Sequence, residues 1–199
     1  EIEEDFASYR ISEALMAAYK LFWDDFSGWY LEMVKPAYQT PIDARTLAQT
    51  KGLMEKLLQV LHPFMPFITE EIWHCLAERG ETECITVSRM PEPQPCDQEL
   101  LARMELIMET ISAVRNVRKQ RNIPNKEQIA LKVIADENYH AEFAPVLVKM
   151  ANLSAIEPVT EKCPDAAAFL VKTTQFFIPL GDKLDREGEL RKLTDELAY

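Results

Sequence analysis

Between Glu109 and Glu127 the chain carries no acidic residue, while Arg115, Arg118, Lys119, Arg121 and Lys126 supply five positive charges. Guanidinium forks match phosphate oxygens and base edges, and an asparagine amide such as that of Asn122 or Asn125 can read a base directly. The chemistry on offer is recognition of a phosphate backbone, not bond breaking. If the stretch is helical, Arg115, Arg118 and Asn122 can share one face, because residues three and four apart are neighbours. A cationic last turn is also what the helix macrodipole favours, so a solvated helix end that balances acidic neighbours is the competing reading. The candidate contact residues are Arg115, Arg118, Lys119, Arg121, Asn122 and Lys126.

Other chemistry finds little support. The five glycines are isolated from one another and cannot build a nucleotide-binding loop. Neither a G-x-S-x-G elbow nor an H-E-x-x-H helix is present. Asp24-Asp25 and Glu70-Glu71 read as exposed helix faces and first-turn charges rather than acid/base pairs. Cys75, Cys84, Cys96 and Cys163 form no C-x-x-C pair and read as reduced thiols of a cytoplasmic protein. His62, His74 and His140 are scattered, so no metal ligand and no catalytic residue is assigned.

The basic stretch stands against a formal net charge of −11, so any nucleic-acid contact must be local. The 47% hydrophobic content suits a chain that buries a core, and no apolar run approaches the roughly 20 residues of a membrane span. The opening Glu1–Phe6 lacks the basic and apolar regions of a secretory signal, and both ends read as cut from a longer polypeptide.

Periodicity places these residues on elements. Residues 3–35 read as one long helix with two apolar stripes, stopped by Pro36. Its aromatics Phe22, Trp23, Phe26, Trp29 and Tyr30 are spaced as core, with a base-stacking platform as the alternative. A second helix spans about 42–61; then His62-Pro63 and Pro66 make an elbow whose Phe64, Met65 and Phe67 should be buried, and a third helix closes near Gly80. Ile85-Thr86-Val87 reads as a short extended run, and Pro91, Pro93 and Pro95 mark a linker. Asp97 can cap a helix from about Gln98 to Gln120 that carries the basic stretch. Residues 129–134 alternate as a strand, 139–150 form a short helix, 153–159 are extended, and 168–178 read as one further strand. From Asp182 a near-heptad pattern suggests the start of a coiled coil, or a helix folded back on the rest.

Four segments carry a resemblance. LLQVLHPFMPFITEEIW (57–73) resembles the helical signature of class I aminoacyl-tRNA synthetases for branched aliphatic amino acids, and Trp29-Tyr30-Leu31-Glu32 with Lys35 resembles their W-Y-L-E-x-x-K segment. SAVRNVRKQRNIPNK (112–126) is similar to an R-x-x-R-x-x-x-x-I-P-x-K segment of the valyl branch, and FFIPLGDKLDREGELRKLTDEL (176–197) to the start of that branch's C-terminal coiled coil. Periodicity and the resemblance together imply a mainly α fold: an antiparallel helix bundle of the anticodon-binding type, a small α+β subdomain around about three strands, and the start of a coiled-coil helix. The expected divisions are a bundle over 1–80, a linker over 81–96, the helix and α+β part over 97–181, and the coiled coil over 182–199.

It further implies a domain that binds the anticodon stem-loop of valine tRNA, with the basic region that holds the candidates Arg115, Arg118, Lys119, Arg121, Asn122 and Lys126 facing the RNA. The resemblance places ATP, Mg²⁺, and the catalytic and editing domains outside these residues, in a soluble, cytoplasmic enzyme that joins valine to its tRNA. This stretch alone would need no cofactor and would catalyse nothing. The isoleucyl or leucyl equivalent, and a helical protein-interaction module without an RNA role, are the rival readings.

Overall fold

The computed structural model describes residues 2–80 and 82–180, which divide into two compact units between Pro95 and Cys96.

The described part of the first unit is helical. Helix α1 (Ile2–Ala7) ends where Tyr9 takes a left-handed conformation at φ 59°, with Tyr9 N–H donating to Phe6 O and Arg10 N–H to Asp5 O. This pair of bonds is a Schellman cap, formed without the usual glycine. It breaks the single helix expected over 3–35. Helix α2 (Ile11–Lys20) then runs on through a π-helical stretch, Leu21–Leu31, into α3 (Glu32–Val34). The wider i→i+5 winding sets residues four apart nearly above one another. Phe22–Phe26 and Phe26–Tyr30 accordingly lie at ring-centroid distances of 6.0 and 5.6 Å. Phe26 is buried whereas Trp23 is 58% exposed, so the aromatic cluster is only partly core.

Helix α4 (Ala44–Leu61) starts on Asp43, whose carboxylate accepts the Thr46 N–H at 2.9 Å, and buries Leu57, Leu58 and Leu61. Helix α5 (Pro66–Leu76) follows the elbow. Here a second expectation fails. Phe64 does stack on Phe6 at 5.4 Å, but Phe67 is 90% exposed and Met65 is also exposed. The corner is held by polar bonds instead: the Thr69 hydroxyl donates to Met65 O at 2.8 Å, so His62 Nδ1, 2.8 Å from that hydroxyl, is the donor to it. His62 Nε2 lies within hydrogen-bond distance of the Thr86 hydroxyl, at 3.2 Å. Ile85–Val87 is a 3₁₀ turn rather than an extended run, with the Ile85 N–H donating to the Glu70 carboxylate.

The second unit joins helix to sheet. Helix α6 (Gln98–Gln120) is capped by Asp97, whose Oδ1 accepts the Glu99 and Leu100 N–H groups. Strands β1 (Ile129–Ile134), β2 (Leu153–Pro158), β3 (Ala166–Val171) and β4 (Thr174–Pro179) form a sheet of order β2-β1-β4-β3. β1 and β2 are parallel, joined through α7 (Ala144–Met150), while β4 is antiparallel to both β1 and β3. Ile129, Leu131 and Val133 of β1 and Phe176 and Ile178 of β4 meet Val114 and Val117 of α6 in one apolar cluster.

The expectation of a mainly α fold with a small appendage is therefore overturned by a four-stranded mixed sheet that organises the second unit. The single strand expected over 168–178 is a hairpin, because Lys172 adopts φ 51° and turns the chain between Val171 and Thr174. Lys172-Thr173 carries no glycine, asparagine or proline to announce that turn. The coiled-coil expectation, over 182–199, lies outside the described residues.

Candidate nucleic-acid interface

Helix α6 delivers the basic stretch. Its apolar face, through Leu106, Ile107, Ile111, Val114 and Val117, is buried, which fixes the rotation of the last turns. The helix ends in a second Schellman cap: Asn122 lies at φ 52°, its N–H donates to Lys119 O, and the Ile123 N–H donates to Arg118 O. Asn122 suits the position because asparagine tolerates the left-handed region better than most residues. Ile123 tucks into the core at 7% exposure, and Pro124 prevents the helix from resuming.

The six candidate residues meet different fates. Lys119, Asn122 and Lys126 are exposed, and Arg121 is half-buried. Arg115 is exposed and donates from Nη2 to Met150 O at 3.2 Å. Arg118 is 3% exposed. Its Nη1 donates to Pro124 O at 3.2 Å and Glu127 O at 2.8 Å, and its Nη2 to Ala151 O at 3.0 Å and Asn152 O at 2.7 Å. Its Nε, also buried, has no hydrogen-bond partner. Burial pulls the Arg118 pKa down, with the Glu127 charge opposing, yet a guanidinium begins so far above neutrality that it stays charged.

Arginines 115 and 118 thus face the C-terminal carbonyls of α7, where the macrodipole is negative and backbone acceptors lack intrahelical partners. Arg115, Arg118 and Asn122 were expected on one face; the two arginines donate to carbonyls of Met150–Asn152, and Asn122 forms the cap of the helix. Asn152 was not singled out from the sequence. It sits at φ 51° just past α7, and its Nδ2 donates to Asn125 O at 2.7 Å and Glu127 O at 3.4 Å. The one available signal was an asparagine placed where a helix could end.

No group of three His, Cys, Asp or Glu side chains that could hold a metal ion occurs among the described residues. No helix among them is long and apolar enough to cross a membrane. The end of α6 and the loop after it carry the cations Lys119, Arg121 and Lys126 beside the Asn122 amide.

A family model described as the anticodon-binding domain of tRNA ligase matches residues 1–135. The chain belongs to this family. Along its whole length it is 49% identical to the valine–tRNA ligase of Parabacteroides distasonis and 48% identical to that of Porphyromonas gingivalis, covering 23% and 22% of those proteins. Over 97% of the chain it is 32% identical to the valine–tRNA ligase of Thermotoga maritima, again covering 22% of that protein. The chain thus spans less than a quarter of the length of these relatives. The family match ends at residue 135, within the second unit, so it includes all of α6 and the basic loop.

Proposed function

We propose that this chain is the anticodon-binding part of a valine–tRNA ligase. The observation that carries the reading is the 49% identity to a protein of that name along every residue of the chain. The reading makes the anticodon stem-loop of valine tRNA the partner, held so that the acceptor end reaches a catalytic site built by other parts of the same polypeptide, alongside an editing site, in the cytoplasm. ATP and Mg²⁺ belong to that distant chemistry.

Within the domain the mechanism is positioning. Lys119, Arg121 and Lys126, with Arg115, supply the cationic edge for phosphates, and Asn122 supplies an amide beside it. Discrimination against a wrong anticodon comes from polar groups left unpaired or in collision.

Titration of the chain with valine tRNA, and with the same tRNA carrying a swapped anticodon, at two salt concentrations tests this. Tighter binding of the unaltered tRNA that persists at the higher salt is expected, since base readout adds to the salt-sensitive phosphate attraction. Absence of binding to either overturns the reading in favour of a protein-interaction module.

A further inference from the structure

The loop that follows α6, residues 121–128, has no regular secondary structure, yet it contains Arg121, Asn122 and Lys126. A loop of this kind would ordinarily be a mobile support for a phosphate-binding edge. Two side chains beneath it alter that. Arg118 donates to the carbonyls of Pro124 and Glu127 on the loop, and with its other nitrogen to those of Ala151 and Asn152 at the end of α7. Asn152 donates to the carbonyls of Asn125 and Glu127. The loop backbone is thereby bonded at three residues to groups anchored on α6 and on the α7–β2 turn.

We propose that Arg118 and Asn152 are positioning residues that clasp loop 121–128 into one conformation, so that Arg121, Asn122 and Lys126 form a preorganised surface for RNA phosphates. The RNA part of this rests on the function proposed above. Arg118 itself is not a phosphate ligand. Swinging it outward would strip hydrogen bonds from four carbonyls, two at the end of a helix, and one screened phosphate contact does not compensate for that. The clasp acts through order. A loop already held in its bound shape loses less conformational entropy when RNA binds.

The loop reports on its own state, because trypsin cuts after Arg121 and Lys126 only when the backbone is free to enter the protease. Native-state trypsin digestion of the 199-residue chain, read by mass spectrometry at the 121–122 and 126–127 bonds, is therefore compared with titration by the anticodon stem-loop RNA across a salt series. Asn152→Gly removes the clasping amide while keeping a residue that accepts a positive φ, so the fold is retained. Arg118→Met removes the other half, and Arg118→Lys returns donors to the same place.

In Asn152→Gly and Arg118→Met, cleavage at both bonds is expected to accelerate about tenfold, the change in open population when one or two net hydrogen bonds are lost. RNA affinity should fall by a similar factor with an unchanged slope of log K against log salt, and Arg118→Lys should partly restore both. Arg121→Gln and Lys126→Gln, by contrast, should each lower the slope by roughly one phosphate's worth. A slope that drops by that amount in Arg118→Lys or Arg118→Met marks Arg118 as a phosphate ligand and overturns the proposal. So does unchanged cleavage in Asn152→Gly. Accelerated cleavage in a chain that never binds RNA supports the clasp and overturns the RNA reading alone.

Discussion

The two units build their interiors differently. In the second, α6, β1 and β4 meet in one apolar cluster whose members Leu131, Val133, Val114 and Ile178 are completely buried. In the first, complete or near-complete burial falls on small or scattered residues such as Ala14, Ala18 and Leu58. Tyr9, Tyr38 and Phe67 stand 90% or more exposed there, and an apolar groove of about 910 Å³ runs along Phe26, Leu53, Leu57 and Met90. A sheet presents a continuous face that one helix can cover, so each apolar side chain finds neighbours on all sides. Short helices joined by turns meet along narrow stripes and leave apolar surface between them.

This contrast can be broken most easily in the cores. Leu131→Ala should destabilise by about 3–5 kcal/mol, because strands on both sides prevent the cavity from closing. Leu58→Ala should cost less, about 2–3 kcal/mol, since helices beside a groove can shift inward. Denaturant unfolding followed by circular dichroism measures both, and a larger loss for Leu58→Ala would reverse the comparison.

Next comes the buried guanidinium. Arg118→Met removes four hydrogen bonds to backbone carbonyls, of which Pro124 O and Glu127 O keep another donor, and should cost about 2–4 kcal/mol. Lys126→Gln, eight residues on and exposed, should change stability by less than about 0.5 kcal/mol. Equal effects would show that Arg118 is as dispensable to the fold as a surface lysine.

A smaller effect separates two aspartates by pH. In the second unit burial pushes the Asp136 carboxyl up, but hydrogen bonds from the Thr173 and Thr174 hydroxyls at 2.6 and 2.5 Å, and from the Asn138 N–H, more than offset it. Its pKa is lowered on folding. Asp43 in the first unit is also lowered, by Thr46 through its side chain and its backbone N–H, but it is fully solvent-exposed. A carboxyl whose folded pKa lies below its unfolded value near 3.9 stabilises fully above that unfolded value and loses the contribution as pH falls through the folded pKa. The stability gap between the unaltered chain and Asp136→Asn should therefore be constant near neutrality and shrink below about pH 4. The gap for Asp43→Asn should shrink in the same window from a smaller starting value, as melting temperatures across pH 2–7 would reveal. The smallest change is expected from Phe67→Ser, within about 0.5 kcal/mol, because that ring is already in water.

The extent of α6 could be read in advance because Asp97 can satisfy first-turn N–H groups, and that of α4 because a regular apolar stripe runs up to the prolines of the elbow, although the cap on Asp43 was not foreseen. The alternation of Ile129, Leu131 and Val133 likewise announced β1. What escaped were chain reversals at Tyr9 and Lys172, residues that rarely enter the left-handed region and were carried there by the bonds around them. The elbow's apolar residues were expected inside because hydrophobicity suggested a plug, whereas His62, Thr69 and Glu70 supplied the fastening.

The basic stretch shows the same division most clearly. Its charge, its position at a helix end and its stop at Pro124 were written in the residues themselves, since composition, capping and proline sterics act locally. Which cations would face water was not. Arg118 and Lys119 are adjacent and equally charged, yet one is buried against four carbonyls and the other is exposed. That outcome depends on where the end of α7 lies in space, and it is set by the packing of helix and strands more than thirty residues apart in the chain, which no local pattern encodes.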